Sequence, residues 1–297
     1  MGRFSLLFAV VLSTGCATSR TQFVAASRPP IIRADSDELS DLKKAAHERE
    51  ESAPSSPGYH PDKKEKKDDC SPSYTIPGSE IIGMGIVYAL ASPFLLPAAL
   101  LQDDYDHITE FPDYPYAEGV SGSLLHNNSD EIKKQSWMGT VQTFVIPQAH
   151  DLDRIGTRLL LDSTSRFGID TESNYWTQNL GGGHHDQLWT GDANLVFRFA
   201  EGERMQWRVG VGVNWLSDDV RNEAGFNFTY GFDWFPARPW TVSSVMDLGS
   251  LGRSTMFHGR TTVGAMIGQA EVFAGYDYFQ IDNAEFQGPV AGLSWRF

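Results

Sequence analysis

From Arg158 to the C-terminus, apolar and polar residues alternate with a period of two, the pattern of strands whose two faces meet different surroundings. Between Arg204 and Trp215, one face collects Met205, Trp207, Val209, Val211, Val213 and Trp215, and the other Arg204, Gln206, Arg208, Gly210, Gly212 and Asn214. The next run sets Ala224, Phe226, Phe228, Tyr230, Phe232 and Trp234 against Glu223, Gly225, Asn227, Thr229, Gly231 and Asp233. Comparable runs occupy 189–199, 240–248, 257–267, 271–278 and 288–297, separated by turn formers such as Ser217-Asp218-Asp219 and Pro236–Pro239. Seven runs in succession predict an antiparallel meander, closed into an up-and-down β-barrel.

Parity also sets the expected strand count. Leu159 through Tyr175 keep one parity, as a single long strand does, which brings the number to eight. Trp137–Pro147 alternates poorly and is placed outside the wall, as a cap on the barrel. A three-residue turn hidden near Phe167-Gly168 would instead admit that segment and raise the count to ten.

The apolar face is expected to look outward at lipid, making the barrel transmembrane. Most strand glycines lie on the polar face, where a narrow, concave wall favours small residues. That face also carries both signs of charge: Asp162, Asp192, Asp233, Asp247, Glu271 and Asp277 with Arg166, Arg198, Arg204, Arg208 and Arg260, joined by Arg158, Asp170, Glu172, Glu223 and Arg296. Every lysine lies at or before Lys134, so the barrel's cations beyond it are arginines. Arginine's planar fork suits a packed lumen of paired carboxylates, whereas a solvated surface mixes in lysine. Aromatic residues bracket the apolar face. Trp207 and Trp215, like Phe226 and Trp234, are eight positions apart. For a tilted strand that spacing corresponds to roughly 20 Å along the membrane normal. So small a barrel fills its interior with side chains and leaves no open pore.

The chain ends Gly292-Leu293-Ser294-Trp295-Arg296-Phe297. This ending resembles the C-terminal signal of bacterial outer-membrane β-barrel proteins, with Val290 standing where a polar residue is usual. The resemblance implies that Gly292, Trp295 and Phe297 form a barrel-assembly signal, that the barrel-insertion machinery and the lipid bilayer are partners, and that the protein resides in the bacterial outer membrane. It implies no activity.

At the other end, Met1–Arg20 has Arg3, an apolar core from Leu6 to Leu12, and then Ser13-Thr14-Gly15-Cys16, a targeting segment too short to span a bilayer. Small residues followed by cysteine resemble the lipobox of bacterial lipoproteins, which implies acylation of Cys16. Ordinary secretion with cleavage near Ala17 is the alternative. Residues 21–78 turn polar and proline-rich, a disordered linker that would serve as a periplasmic tether, with a transient helix within Asp35–Glu51 built on Leu39, Leu42 and Ala45. Residues 79–136 hold an apolar helix and an aromatic-proline connector, Phe111–Tyr116. Ile81–Leu101 carries no charge over twenty-one residues but is interrupted by Gly83, Gly85, Pro93 and Pro97. It is expected to lie as a kinked helix or hairpin against a membrane surface or barrel mouth, with an inner-membrane anchor as the rival. The barrel takes residues 137–297.

Composition narrows the function classes. A balance of 38 acidic against 24 basic residues, net charge −14, excludes a nucleic-acid binder. Two cysteines exclude a disulfide framework or a cysteine-built metal module. A mean hydropathy of −0.31 excludes a polytopic helical membrane protein. No spacing selects a catalytic, cofactor or metal site. His184-His185-Asp186 reads as a solvated loop, and His258 as an interior ion-pairing partner of Glu271 or Asp277. The expected role is structural, adhesive or envelope-organising. Two rivals remain: a membrane-embedded lipid-modifying enzyme using His258 with Ser254 or Ser294, and a periplasmic lipocalin-like barrel with its apolar face turned inward.

Overall fold

The computed structural model describes residues 38–47, 91–103, 105, 109–125, 133–147, 152–181 and 184–297, all within one unit that runs from Asp37 to Phe297. Cys16 and the leader lie outside the described residues, as do most of the expected linker and the first half of the uncharged stretch.

Ten strands follow one another: β1 (Trp137–Pro147), β2 (Leu152–Ser163), β3 (Phe167–Gly181), β4 (His184–Gly202), β5 (Met205–Ser217), β6 (Asn222–Trp234), β7 (Trp240–Leu251), β8 (Ser254–Ile267), β9 (Ala270–Ile281) and β10 (Ala284–Arg296). Each pairs antiparallel with the next. Pairing of β10 with β1 then closes the sheet, leaving no free edge to template aggregation. The seam is finished by Gly139 and Phe297, which exchange backbone hydrogen bonds of 2.8 and 2.9 Å.

The count is ten, not eight. Residues 159–175 are two strands joined by the three-residue turn Thr164–Arg166. Across it Asp162 faces Gly168 and Leu161 faces Ile169, so partners on the two strands share parity and the alternation runs on unbroken. The turn closes on Arg166 at φ 69°, so no glycine marks it. Trp137–Pro147 is therefore a wall strand rather than a cap. Its alternation is poor because the lumen it faces is not uniformly polar: Phe144 and Ile146 are buried there with Phe273 and Val290.

An even count leaves both barrel ends, Trp137 and Phe297, at one rim, here called the terminal mouth. The β5–β6, β7–β8 and β9–β10 turns mark the opposite, distal mouth. Apolar side chains face out: Val145, Ile155, Ile169, Leu195, Val211, Val213, Val263, Val272 and Leu293 are each about half exposed or more. Trp207 lies on the same wall, its ring 4.7 Å from Phe232 on the neighbouring strand. The inward-apolar rival therefore does not describe this barrel.

Among the described residues, two α-helices accompany the wall. α1 (Glu38–His47) falls inside the stretch expected to be linker, and docks in the distal mouth. α2 (residues 91–101) lies against the outer wall near the terminal mouth. Among the described residues no helix is long and apolar enough to cross a membrane by itself.

Candidate functional site: a filled lumen and its two mouths

Strand alternation carries six arginines to buried positions, Arg154, Arg158, Arg198, Arg208, Arg260 and Arg296, and the β2–β3 turn adds Arg166. Desolvating a charge is costly unless it is paired and its remaining donors are satisfied; each of these cations meets a carboxylate, while Arg208 Nε and Arg296 Nε are buried without a hydrogen bond. Arg260 grips Glu172 through both terminal nitrogens at 2.7 and 2.9 Å while its Nε donates to Asp277 at 2.8 Å. Arg154 donates to Asp277 at 2.7 Å and to Asn174 at 2.9 Å. The Phe144 ring lies 3.9 Å beneath the Arg260 guanidinium, and the Trp176 ring 4.7 Å from that of Arg154, so the flat faces of the cations meet aromatic surface. His258 sits between two carboxylates, Nδ1 3.1 Å from Asp247 and Nε2 2.9 Å from Asp277.

A second layer lies nearer the terminal mouth. Arg158 pairs with Asp170, Arg208 with Asp233, and Arg296 approaches Glu271 at 3.5 Å. Gly264 belongs here for a steric reason. A Cβ at that position would stand 2.1 Å from Glu271 Oε1 and 2.5 Å from Thr241 Oγ1, which are themselves hydrogen-bonded. Among the described residues, two cavities in the lumen are each about 10 Å³, room for a single water and too small for an ion with its hydration shell.

Each residue singled out in the sequence can now be placed. Asp162, Arg166, Arg198, Arg208, Asp233, Asp247, Arg260, Glu271 and Asp277 are buried, and Asp192 is half-buried, accepting from Asn194 at 2.7 Å. Arg204 is corrected: it lies exposed in the two-residue turn Glu203-Arg204, because β4 and β5 pair only up to Gly202 and Met205 and the alternation of β5 begins after it. Asp186 is not part of a solvated loop but pairs with Lys43 of α1, while His185 is exposed. Ser254 donates to the Ala45 carbonyl at 2.7 Å, and both ring nitrogens of His258 are taken by aspartates, so no serine–histidine dyad forms there. Among the described residues no cluster has the makings of a metal site. Sequence reasoning missed Arg154, Glu201 and the apolar collar of the distal mouth. Arg154 and Glu201 had visible parity, but both lay beside presumed strand boundaries.

The mouths are closed by different chemistry. At the distal mouth, lumen-facing Leu152, Trp176, Leu188, Leu216, Leu251, Met256, Phe279, Ile281 and Phe286 form an apolar collar, and Leu39, Leu42 and Ala46 of α1 fill it. Those three positions share one helical face, which is why this polar stretch folds as a helix once the collar is present. At the terminal mouth, residues 109–125 lie across the opening. Thr109 donates to Glu201 at 2.7 Å, the Phe111 ring stands 5.0 Å from the Arg198 guanidinium, and Tyr116 donates to the Trp240 carbonyl at 2.7 Å. Arg198 in turn donates to Glu201 at 2.7 Å and lies 2.9 Å from Asp162. On the rim, Arg166 forks onto Asp103 at 2.6 and 2.7 Å. Partial burial pushes the Asp103 carboxyl up, but Arg166 and the backbone N–H groups of Glu201 and Tyr105 outweigh it and hold it below its ordinary value.

No known family profile matches the chain, and no curated protein does. Among solved structures it is similar to the N-terminal β-barrel domain of Pseudomonas aeruginosa OprF (11% identity, 55% of this chain and 98% of that one, TM-score 0.28). It is likewise similar to the Yersinia pestis outer membrane protein Ail (10%, 55% and 100%, TM-score 0.31) and to Neisserial surface protein A (12%, 54% and 96%, TM-score 0.25). The reading of this chain rests on its own wall and lumen.

Proposed function

We propose that this protein is a non-conducting outer-membrane β-barrel, with a structural, adhesive or envelope-organising role, held in the bilayer by its wall and sealed by its lumen. The observation that carries the reading is the inversion of ordinary protein polarity: arginine–carboxylate pairs at the axis, and valine, leucine and isoleucine on the surface. A soluble protein of this size does not expose so continuous an apolar band, whereas a lipid-facing wall requires one. Aromatic residues flank the band on both sides, with Trp137, Trp234, Trp240, Trp295 and Phe297 at the terminal mouth and Tyr175, Trp189, Trp215 and Phe226 toward the distal one.

The ending Gly292–Phe297 supports recognition by the barrel-insertion machinery, and Ser13–Cys16 supports acylation of Cys16. In single-chain bacterial barrels both termini face the periplasm, which assigns the terminal mouth to that side.

The test is fractionation with the outer membrane, together with a gel shift between unheated and boiled samples in detergent, and absence of steady conductance in planar bilayers. Release of the full chain from membranes without detergent would overturn the membrane assignment, and regular single-channel steps would overturn the sealed lumen.

A further inference from the structure

The two helices approach the barrel from opposite ends. α1 is anchored in the distal mouth: the Leu39 N–H donates to Gln178 at 2.9 Å, Lys43 pairs with Asp186, and the Ala45 carbonyl accepts from Ser254 at the start of β8. α2 belongs to the other end, and it lies outside the wall rather than in the mouth. Phe94 packs edge-on against Phe199 and Tyr230, with centroids 5.5 and 5.9 Å apart, and the Tyr230 hydroxyl donates to the Pro93 carbonyl at 2.7 Å. Eight residues on, Leu101 rests 3.1 Å from where a Cβ on Gly202, the last residue of β4, would be. Tyr230 lies four residues inside the end of β6, which places Pro93 roughly 10 Å deeper in the wall than the rim. α2 therefore runs from the apolar band outward to the terminal rim, where Asp103 meets Arg166.

Its other side shows what surrounds it. Leu95, Leu96 and Leu100 point away from the barrel and are 56%, 58% and 78% exposed. Residues 91–101 carry no charge, and the first charge comes at Asp103 on the rim. A helix that packs aromatic and proline residues on a lipid-facing wall, and turns leucines the other way, is surrounded by acyl chains.

Taking the wall as membrane-embedded, as proposed above, we infer that the chain crosses the bilayer between α1 and β1, emerging at the terminal rim along α2 on the outer face of β4–β6, so that α1 and the C-terminal end of α2 lie on opposite sides of the membrane. The lumen offers no route, since the buried arginine–carboxylate pairs and the aromatic rings against them fill it, and the two cavities described among them are about 10 Å³ each. The uncharged stretch Ile81–Leu101 is the part of the connecting chain whose chemistry suits the lipid route, and twenty-one residues reach roughly 30 Å even at helical rise. With the terminal mouth in the periplasm, α1 stands on the cell-surface side. That is the reverse of a purely periplasmic tether.

Single cysteines in a Cys70→Ser background test this in whole cells, using a membrane-impermeant maleimide before and after outer-membrane permeabilisation. Asp41→Cys reports α1, Val220→Cys the distal mouth and Ala237→Cys the terminal mouth; all three native side chains are exposed. The expected result is that Asp41→Cys labels with Val220→Cys in intact cells, while Ala237→Cys labels only after permeabilisation. Asp41→Cys behaving like Ala237→Cys, with Val220→Cys distinct, would overturn the crossing and leave the membrane barrel standing. Equal labelling of Val220→Cys and Ala237→Cys in intact cells would overturn the membrane assignment itself, and the crossing with it.

Discussion

The two mouths of one barrel differ in whether buried ions take part in the seal, and the contrast shows how burial and charge divide the work. The distal seal is oil: nine collar residues receive three apolar side chains from α1, and its polar ties, Lys43–Asp186 among them, lie at the edge. The terminal seal is mixed: Phe111, Leu124 and Met138 form one small apolar cluster and Tyr116, Phe235 and Met266 another, but between them Glu201 and Asp162 hold Arg198, Asp103 holds Arg166, and Thr109 donates to Glu201. An apolar seal can release its plug at the cost of exposing the collar, with each group still self-consistent. An ionic seal cannot lose one partner without stranding another charge in a dry site.

The largest effect should therefore come from the terminal seal. Arg198→Leu leaves Asp162 buried without its cation and Glu201 with only Arg166, 3.6 Å away, a loss of about 3–5 kcal/mol. It should lower the urea midpoint of the detergent-folded barrel or abolish the heat-modifiable form. A barrel as stable as the parent would remove the distinction between the seals.

Next comes Leu42→Ala in α1. Transfer and cavity terms together weaken docking by roughly 2–5 kcal/mol. Because α1 is not a strand of the wall, the expected outcome is faster amide exchange in residues 38–47 with the barrel's own midpoint unchanged. Loss of the barrel itself would show the apolar seal to be as integral as the ionic one.

Acidification should separate the mouths without mutation. The Asp103 carboxyl has a lower pKa folded than unfolded, so its contribution is complete above the ordinary value of 3.8 and fades as pH falls through the lower folded value. Amide exchange around Asp103–Tyr105 should rise in that acidic range, and Asp103→Asn should remove the dependence. Unchanged exchange there would sever Asp103 from the rim's stability.

The smallest effect belongs to Lys43→Met, which breaks a partly exposed pair at the edge of the oily seal and should cost less than about 1 kcal/mol, measured by the same exchange of α1.

Much of this was legible along the chain because alternation is local. Whether Val211 faces outward and Arg208 the axis follows from their neighbours in one strand, and the outward direction follows from arginine and carboxylate crowding the other face. The strand count was less legible. A three-residue turn closed by Arg166 preserves parity and carries no glycine, so residues 159–175 look continuous. β1 was obscured by Phe144, an apolar residue facing inward because it underlies Arg260. Arg204 was misplaced because parity says nothing about where a strand gives way to its turn.

By itself, then, the sequence determined the wall: a run of strands with lipid-suited residues on one face and ion pairs on the other, because a pleated strand sorts its side chains by position alone. Only the tertiary structure decided which charges meet, such as Arg260 with Glu172 eighty-eight residues away, and that a polar stretch near the N-terminus becomes the helix that stoppers the distal collar. The physical reason is closure. The stagger at which ten strands join fixes which side chains face one another across the lumen, and no local pattern encodes that stagger.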